Sequence, residues 1–206
     1  MDSPEQPQIY LVTPPAFEPD EFAGRLARVL DGVAVACIRL QLASRDEDAV
    51  LRAADALREL AHARDIALVI ADHLLVAQRL GLDGVHLGDA ARSVRAARKA
   101  LGPDAIVGAF CGASRHDGIS AGEAGADYIG FGPVSAGALG DGAVAGDDLF
   151  QWWSEMIELP VVAEGGLTPA LVRRLAPHTD FFGIGEEIWA SDDPLQALRD
   201  LIQAMR

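Results

Sequence analysis

The sequence predicts a single (β/α)8 barrel spanning residues 1–206, and three observations support this fold class. Eight short apolar segments alternate with segments whose apolar residues recur at helical spacing. The apolar segments are nearly continuous, which is typical of parallel strands covered by helices. The chain has 206 residues, half of them apolar, which suits one domain. An open, doubly wound sheet is the alternative.

The predicted strands share short runs of apolar residues. In chain order they are QIYLVT (8–13), VAVACIRL (33–40), IALVIAD (66–72), GVHLG (84–88), AIVGAFC (105–111), DYIGFG (127–132), PVVAEG (160–165) and DFFGIG (180–185). Because the active face of such a barrel lies at the carboxyl ends of its strands, functional residues are expected in the last positions of these segments and directly after them.

The clearest predicted helices have apolar residues on one face and an acidic or hydroxyl residue at the start. They are DEDAVLRAADALRELAHARD (46–65), SVRAARKALG (93–102) and DDPLQALRDLIQAM (192–205). The least regular segment is SAGALGDGAVAGDD (135–148), and its length and composition make it a candidate lid over the active face.

The charge of the chain limits its partners. Seventeen Lys and Arg residues against 31 Asp and Glu residues give a net charge of −14, which disfavours nucleic acid and anionic membranes as partners. We expect a small-molecule ligand. The N-terminal segment MDSPEQPQ lacks the basic and apolar regions of a signal peptide, so a cytoplasmic protein is expected. The sequence leaves open whether the chain forms a homo-oligomer.

Three residues inside the predicted strands are expected to be structural. Cys37 and Cys111 lie in apolar runs, and we expect small buried thiols rather than a disulfide. His86 lies within strand 4, where a packed and hydrogen-bonded core histidine is expected.

Four segments, in this order, resemble the thiamine-phosphate synthase family: IYLVTP (9–14), GLDGVHLGD (81–89), GADYIGFGPV (125–134) and PVVAEGGL (160–167). The resemblance covers nearly the whole chain and implies a (β/α)8 barrel. It also implies that a hydroxymethylpyrimidine diphosphate is joined to a thiazole phosphate, with Mg²⁺ and release of pyrophosphate. In the family, the pyrimidine diphosphate ionises to a carbocation that the thiazole nitrogen captures.

The residues implied for pyrophosphate and Mg²⁺ are only partly present. The family's QLRxK reads CIRLQ here, so Arg39 matches the arginine and the uncharged Gln41 replaces the lysine. The family's Asn-Asp pair becomes Ala71-Asp72, and HLGQxD becomes HLGDAA, which leaves Asp89 as the nearby carboxylate. We therefore predict Arg39, Gln41 and Asp72 as catalytic residues, with Asp72 and Asp89 sharing Mg²⁺.

The loops after strands 5 and 6 also depart from the family. Its TxTK segment is replaced by SAGALGDGAVAG, which contains no Lys or Arg, and its serine-bearing segment after strand 5 reads FCGASRHDG. Cys111, Arg115 and His116 are candidate substrate-binding residues, together with Gly132 at the end of strand 6. A solvated surface turn is the alternative for Arg115 and His116.

The ends of strands 7 and 8 predict a phosphate site that has been modified. Gly165, Gly166 and Gly185 occupy turns where barrels commonly hold phosphate through backbone N–H groups. Glu164 and Glu186 stand where the resemblance implies an apolar residue and a serine. A carboxylate about 4 Å from a phosphate charge costs roughly 4 kcal/mol at an effective dielectric near 20. Glu164 must therefore point outward, be protonated or be bridged by a cation.

Three functions stay open at this point. The first is a thiamine-phosphate synthase, impaired or altered. The second is a related enzyme that acts on a thiazole-type ligand by acid–base chemistry through Glu164, Glu186, His116 or His73. The third is a barrel without catalytic activity that binds a cationic, thiamine-like metabolite between Glu164 and Glu186. In each case the partner is a small phosphorylated or cationic metabolite.

Overall fold

The computed structural model describes residues 6–136 and 143–206. Eight parallel strands close into a barrel, each paired with its neighbour in sequence and the last paired with the first, so the predicted fold class is confirmed. The strands are β1 (Gln8–Val12), β2 (Cys37–Leu40), β3 (Ala67–Ala71), β4 (Gly84–Leu87), β5 (Ile106–Phe110), β6 (Tyr128–Phe131), β7 (Val161–Glu164) and β8 (Phe181–Ile184).

The helices in the described ranges follow the strands. They are α1 (Pro19–Gly32), α2 (Glu47–His62), α3 (Leu74–Leu80), α4 (Val94–Leu101), α5 (Arg115–Ala124), α6 (Asp147–Met156), α7 (Pro169–Leu175), α8 (Glu186–Trp189) and α9 (Pro194–Ala204), with a 3₁₀ turn at Ala176–His178. None of these described helices is long and apolar enough to cross a membrane.

Local sequence signals determine several helix boundaries. The carboxylate of Asp46 accepts a hydrogen bond from the N–H of Asp48 and caps α2, while the Thr168 hydroxyl caps α7 in the same way. Gly81 ends α3 with a φ of 63°, a left-handed conformation that favours glycine. The predicted second strand was too long at its start: Val33 is the C-terminal cap of α1, residues 34–36 connect the helix to the barrel, and β2 begins only at Cys37.

The apolar core has two parts. The larger part lies between the strands and the surrounding helices, and the smaller one fills the barrel around Tyr10, Val69, Tyr128 and Val162. Cys37 and Cys111 are buried free thiols, as predicted, and burial raises the pKa of each to about 12. Neither thiol is therefore a ready nucleophile at neutral pH.

The candidate lid at 135–148 is only partly within the described ranges. Residues 137–142 lie outside them. At the N-terminal side, the Ser135 hydroxyl donates to the carbonyl oxygen of Gly166, 3.0 Å away. At the other side, the N–H of Ala145 donates to the carbonyl oxygen of Pro133, 2.8 Å away, and α6 begins at Asp147. Both ends of the segment are therefore held against the barrel.

Candidate active site

A cavity of about 610 Å³ opens at the carboxyl ends of the strands. This volume suits one or two small ligands. The ends of β2, β3, β7 and β8 contribute most of its polar lining, as the architecture predicts. Nine of the predicted site residues line it: Arg39, Gln41, Asp72, Gly132, Glu164, Gly165, Gly166, Gly185 and Glu186.

Four predicted site residues do not line this cavity: Asp89, Cys111, Arg115 and His116. Asp89 is exposed and accepts a hydrogen bond from the Ser93 hydroxyl at 2.6 Å. The thiol of Cys111 is buried and directed toward the carbonyl oxygen of Ala109.

Arg115 and His116 are held in the first turn of α5. Ser114 caps this helix, because its hydroxyl accepts from the N–H of Asp117. The guanidinium of Arg115 lies 4.8 Å from the ring centre of Trp152 and 3.4 Å from Asp148, whereas His116 is exposed. Both residues thus have the arrangement of a surface turn, the alternative that the sequence allowed.

A buried ion pair forms the floor of the cavity. Arg39 Nη2 donates to Glu164 Oε2 at 2.5 Å, and Arg39 Nη1 donates to Glu164 Oε1 at 3.3 Å. The two side chains are only 6% and 9% exposed. Glu164 therefore points into the barrel, and the cation that balances its charge is Arg39 of the same chain. The sequence predicted Arg39 as a catalytic residue but did not predict this pairing.

Small residues on the neighbouring strands make room for this ion pair. Strands β6 and β8 flank β7 in the barrel, and they contribute Gly130 and Gly183 beside Glu164. A Cβ atom at Gly130 would lie 3.1 Å from Glu164 Oε1, and one at Gly183 would lie 2.9 Å from Glu164 Cβ. The glycines thus accommodate a charged side chain inside the barrel.

The ion pair continues into a chain of hydrogen bonds through the barrel interior. Arg39 Nη1 lies 2.8 Å from His86 Nε2, His86 Nδ1 lies 2.8 Å from the Tyr128 hydroxyl, and that hydroxyl lies 2.5 Å from the Tyr10 hydroxyl. Because a guanidinium can only donate, His86 Nε2 accepts and Nδ1 carries the proton. His86 is therefore the hydrogen-bonded core histidine that the sequence predicted.

Burial sets the protonation states along this chain. Burial and then the positive charge of Arg39 hold the pKa of His86 well below its usual range, so the imidazole is neutral. Burial raises the pKa values of Tyr10 and Tyr128, so both phenols stay protonated. For Arg39, burial acts to lower the pKa, but Glu164 and the tyrosines raise it overall, so the guanidinium stays charged.

The turns after β7 and β8 form a second feature, which we call the anion cup: the backbone N–H groups of Gly166, Leu167 and Gly185. Gly165 and Gly166 have φ values of 86° and 79°, which turn the backbone after β7 into the cavity. Converging N–H groups of this kind bind anions in many proteins. The turns that the sequence predicted after β7 and β8 therefore exist, and their backbone N–H groups point toward one place.

The anion cup contains a carboxylate of the chain itself. Glu187 Oε1 accepts from the N–H groups of Gly166 and Leu167, both at 3.1 Å, and Glu187 Oε2 accepts from the N–H of Gly185 at 2.9 Å. The sequence reading missed Glu187. The pair of glutamates after β8 was the available signal, but nothing in the sequence distinguishes which of the two turns inward.

Asp72 is the carboxylate best placed to hold a metal ion in the cavity. Its backbone has a φ of 56°, its Oδ1 accepts from the N–H of Gly88 at 2.8 Å, and its side chain is exposed at the mouth. In the ranges that the structure describes, no group of three or more His, Cys, Asp or Glu could hold a metal ion. Mg²⁺ often binds through one or two carboxylates, water and substrate phosphates, so this donor set fits Mg²⁺ with a phosphorylated ligand.

Arg45 is a second cavity residue that the sequence reading missed. It lies in the loop between β2 and α2, four residues after Gln41, and its exposed side chain lines the cavity. Arg45 brings a positive charge to the same loop in which Gln41 replaces the family's lysine.

The model of the family described as thiamine monophosphate synthase matches residues 9–183. The chain belongs to this family. A thiamine-phosphate synthase of Rhodospirillum centenum is 42% identical over 205 residues, covering 97% of this chain and 98% of the relative. A thiamine-phosphate synthase of Erythrobacter litoralis is 37% identical over 206 residues, covering 96% of each chain. The resemblance inferred from four segments is thereby confirmed.

Solved structures support the fold of this family member. A thiamine phosphate pyrophosphorylase from Pyrococcus furiosus superposes with a TM-score of 0.83 at 24% identity, covering 96% of this chain and 95% of the other. A 3-hexulose-6-phosphate synthase superposes with a TM-score of 0.69 at 15% identity, covering 96% of this chain and 99% of the other. At these identities the superpositions establish the barrel fold alone.

Proposed function

We propose that this member of the thiamine-phosphate synthase family joins hydroxymethylpyrimidine diphosphate to thiazole phosphate and releases pyrophosphate. The observation that carries the proposal is the division of one cavity into two sides. Asp72 follows β3, while the anion cup follows β7 and β8. Strands β3 and β7 are four positions apart in a closed eight-stranded barrel, so they lie on opposite sides of the mouth.

Two sides with different chemistry suit two phosphorylated substrates. On the Asp72 side, a carboxylate binds a diphosphate only through a cation. On the opposite side, backbone N–H groups bind a phosphate directly. Between them lies a cavity of about 610 Å³, which brings two small ligands within reacting distance. This arrangement supports a reaction between a diphosphate and a monophosphate.

Asp72 is the residue that we propose to hold Mg²⁺. The ion would neutralise the charge that develops on the departing pyrophosphate. Asp89 does not line the cavity and bonds to Ser93, so we propose a smaller contribution from it. The bond from the N–H of Gly88 to Asp72 Oδ1 orients the carboxylate, and the Asp72 side chain is exposed at the mouth of the cavity.

The cationic assistance to the leaving group differs from the family pattern. Arg39 lies at the floor with its charge balanced by Glu164, and Gln41 is neutral. We propose that Arg45 supplies part of the missing positive charge from the same loop. Pyrophosphate is a better leaving group when positive charge is close. Because the family's lysine is absent at position 41 and the nearest exposed arginine lies four residues later, we expect slow but Mg²⁺-dependent turnover.

The other two hypotheses lose support from the same geometry. Acid–base chemistry through Glu164 is disfavoured because the carboxylate is held by Arg39, and His116 is outside the cavity, which leaves only His73 and Glu186 of the four named residues in its lining. Binding of a cationic metabolite between Glu164 and Glu186 required two uncompensated carboxylates. Arg39 neutralises one of them.

The test is turnover of the purified full chain with both substrates and Mg²⁺, measured as formation of thiamine phosphate at high enzyme concentration. We expect product with the wild type and a loss of about a hundredfold or more with Asp72→Ala, because the variant loses the anchor for the leaving-group metal. Absence of product, with folded protein and intact substrates, would reject the proposal.

The matched control is Asp89→Ala, which removes the same carboxylate charge at the end of the adjacent strand β4. We expect it to retain most of the activity. An equal loss in both variants would show that the two carboxylates act together, as the sequence first predicted, and that the metal site extends beyond the cavity lining. Titration with Mg²⁺ in each variant separates metal affinity from the chemical step.

A further inference from the structure

The anion cup binds an anion that belongs to the chain. Three backbone N–H groups from two separate turns converge on the two oxygens of Glu187, at 2.9–3.1 Å. These donors come from the turns after β7 and β8, which are distant in sequence and adjacent in the barrel. The carboxylate thus makes the same contacts that an external phosphate would make there.

A phosphate and the Glu187 carboxylate cannot occupy the cup together. Each N–H group has one hydrogen to donate, and all three are already used by Glu187. The two anions would also repel each other at contact distance. Entry of a phosphate therefore requires Glu187 to leave the cup and return to water.

Glu187 is able to make this exchange. Its side chain is half-buried rather than enclosed, and it follows β8 at the start of the short helix α8. It is bonded to backbone N–H groups, with no ion pair to Lys, Arg or His in the described ranges. Rotation of one side chain therefore opens the cup without rearranging the barrel.

We propose that Glu187 is a specificity-determining residue: an internal anion that competes with the substrate phosphate for the anion cup and weakens its binding. The inference rests on the proposed function in one respect, since it takes the ligand of the cup to be a phosphate ester. Because Glu187 weakens the binding of the phosphate group, the affinities for phosphorylated and unphosphorylated ligands differ less than they would if the anion cup held no carboxylate.

The neighbouring Glu186 provides a matched comparison. It lines the same cavity and carries the same charge, but it is exposed and makes no hydrogen bond to the cup in the described ranges. A variant at Glu186 changes the charge of the mouth without freeing any N–H group. Glu187→Ala changes the charge and frees three.

The experiment is a calorimetric titration of the full chain with inorganic phosphate at fixed ionic strength, for wild type, Glu187→Ala and Glu186→Ala. We expect the dissociation constant to fall by about tenfold or more in Glu187→Ala, since even one hydrogen bond to a charged group is worth about that factor. We expect a change of less than about threefold in Glu186→Ala, because an exposed charge is screened by salt.

A second variant separates position from charge. Glu187→Asp keeps the negative charge but shortens the side chain by one methylene, so the carboxylate no longer reaches all three donors. The proposal expects tighter phosphate binding in this variant too, despite its unchanged net charge. Equal phosphate affinity in wild type, Glu187→Ala and Glu187→Asp, all folded by circular dichroism, would overturn the proposal, as would equal gains at Glu186 and Glu187.

Turnover gives an independent measurement. In Glu187→Ala the KM for thiazole phosphate is expected to fall about tenfold, whereas the KM for the pyrimidine diphosphate stays within about twofold, because that substrate is assigned to the opposite side. If the wild type forms no product, the phosphate titration alone decides this proposal. The turnover assay therefore tests the synthase proposal, and the phosphate titration tests the role of Glu187, so either proposal can fail without the other.

Discussion

Removal of the Glu164 charge tests how the buried ion pair contributes to stability. In Glu164→Gln the side chain keeps its size, but only one acceptor oxygen is left for Arg39. The Arg39 side chain is 6% exposed, and its Nε–H already has no hydrogen-bond partner among the described residues. The positive charge would then be buried without a counter-charge, and its contacts would be reduced to His86 and one amide oxygen.

The expected loss in the free energy of unfolding is about 3–5 kcal/mol, the usual cost of removing one partner from a buried ion pair. Replacement of both partners, Arg39→Met with Glu164→Leu, is expected to recover most of this loss, because no charge then stays in the interior. The loss in unfolding free energy from removing one partner is thus expected to exceed the loss from replacing both partners with apolar residues.

The control is an exposed pair of nearly the same length. Arg174 Nε lies 2.6 Å from Asp147 Oδ2, but these side chains are 61% and 46% exposed. Asp147→Asn is expected to cost about 0–1 kcal/mol. The comparison holds distance nearly constant and changes burial.

The assay is urea denaturation at pH 7, followed by circular dichroism and tryptophan fluorescence, with linear extrapolation to water. Urea is chosen because it does not screen charge. A loss in Glu164→Gln that lies within about 1 kcal/mol of the loss in Asp147→Asn would refute the reasoning, since it would mean that the Arg39–Glu164 pair is as well hydrated as a surface pair.

Three further predictions concern the hydrogen-bond chain and the mouth. Folding lowers the pKa of His86, so the contribution of the neutral imidazole to stability is complete above pH 6.5 and is lost as the pH falls toward the folded pKa. The unfolding free energy of the wild type should therefore fall more steeply below pH 6.5 than that of His86→Gln, by up to about 1.4 kcal/mol per pH unit. Tyr128→Phe should cost about 1–3 kcal/mol in urea denaturation and Tyr10→Phe less, because the Tyr128 hydroxyl has two partners and the Tyr10 hydroxyl one; equal costs would contradict the bonding order. Arg45→Ala should raise the KM for the pyrimidine diphosphate about tenfold in the turnover assay, whereas Arg28→Ala on the outer helix α1 should leave it unchanged.

The sequence by itself determined the architecture and the location of the site. Continuous apolar segments alternating with amphipathic ones indicated parallel strands with outer helices, because burial on both faces leaves no polar positions in a strand. Residues at or directly after the ends of those segments, such as Asp72, Gly166 and Gly185, line the cavity because parallel strands bring all their carboxyl ends to one face. Local pattern was sufficient for these inferences.

Only the tertiary structure decided the electrostatics of the site. Glu164 is paired with Arg39, 125 positions away in sequence, and the pairing exists because the closed barrel brings β2 and β7 to one interior. Glu187 rather than Glu186 turns into the anion cup, because the backbone after β8 directs only one of the two side chains toward the N–H groups. Charge sign can be read from a sequence, but the partner of a charge depends on burial and direction, which are fixed only when distant segments pack together.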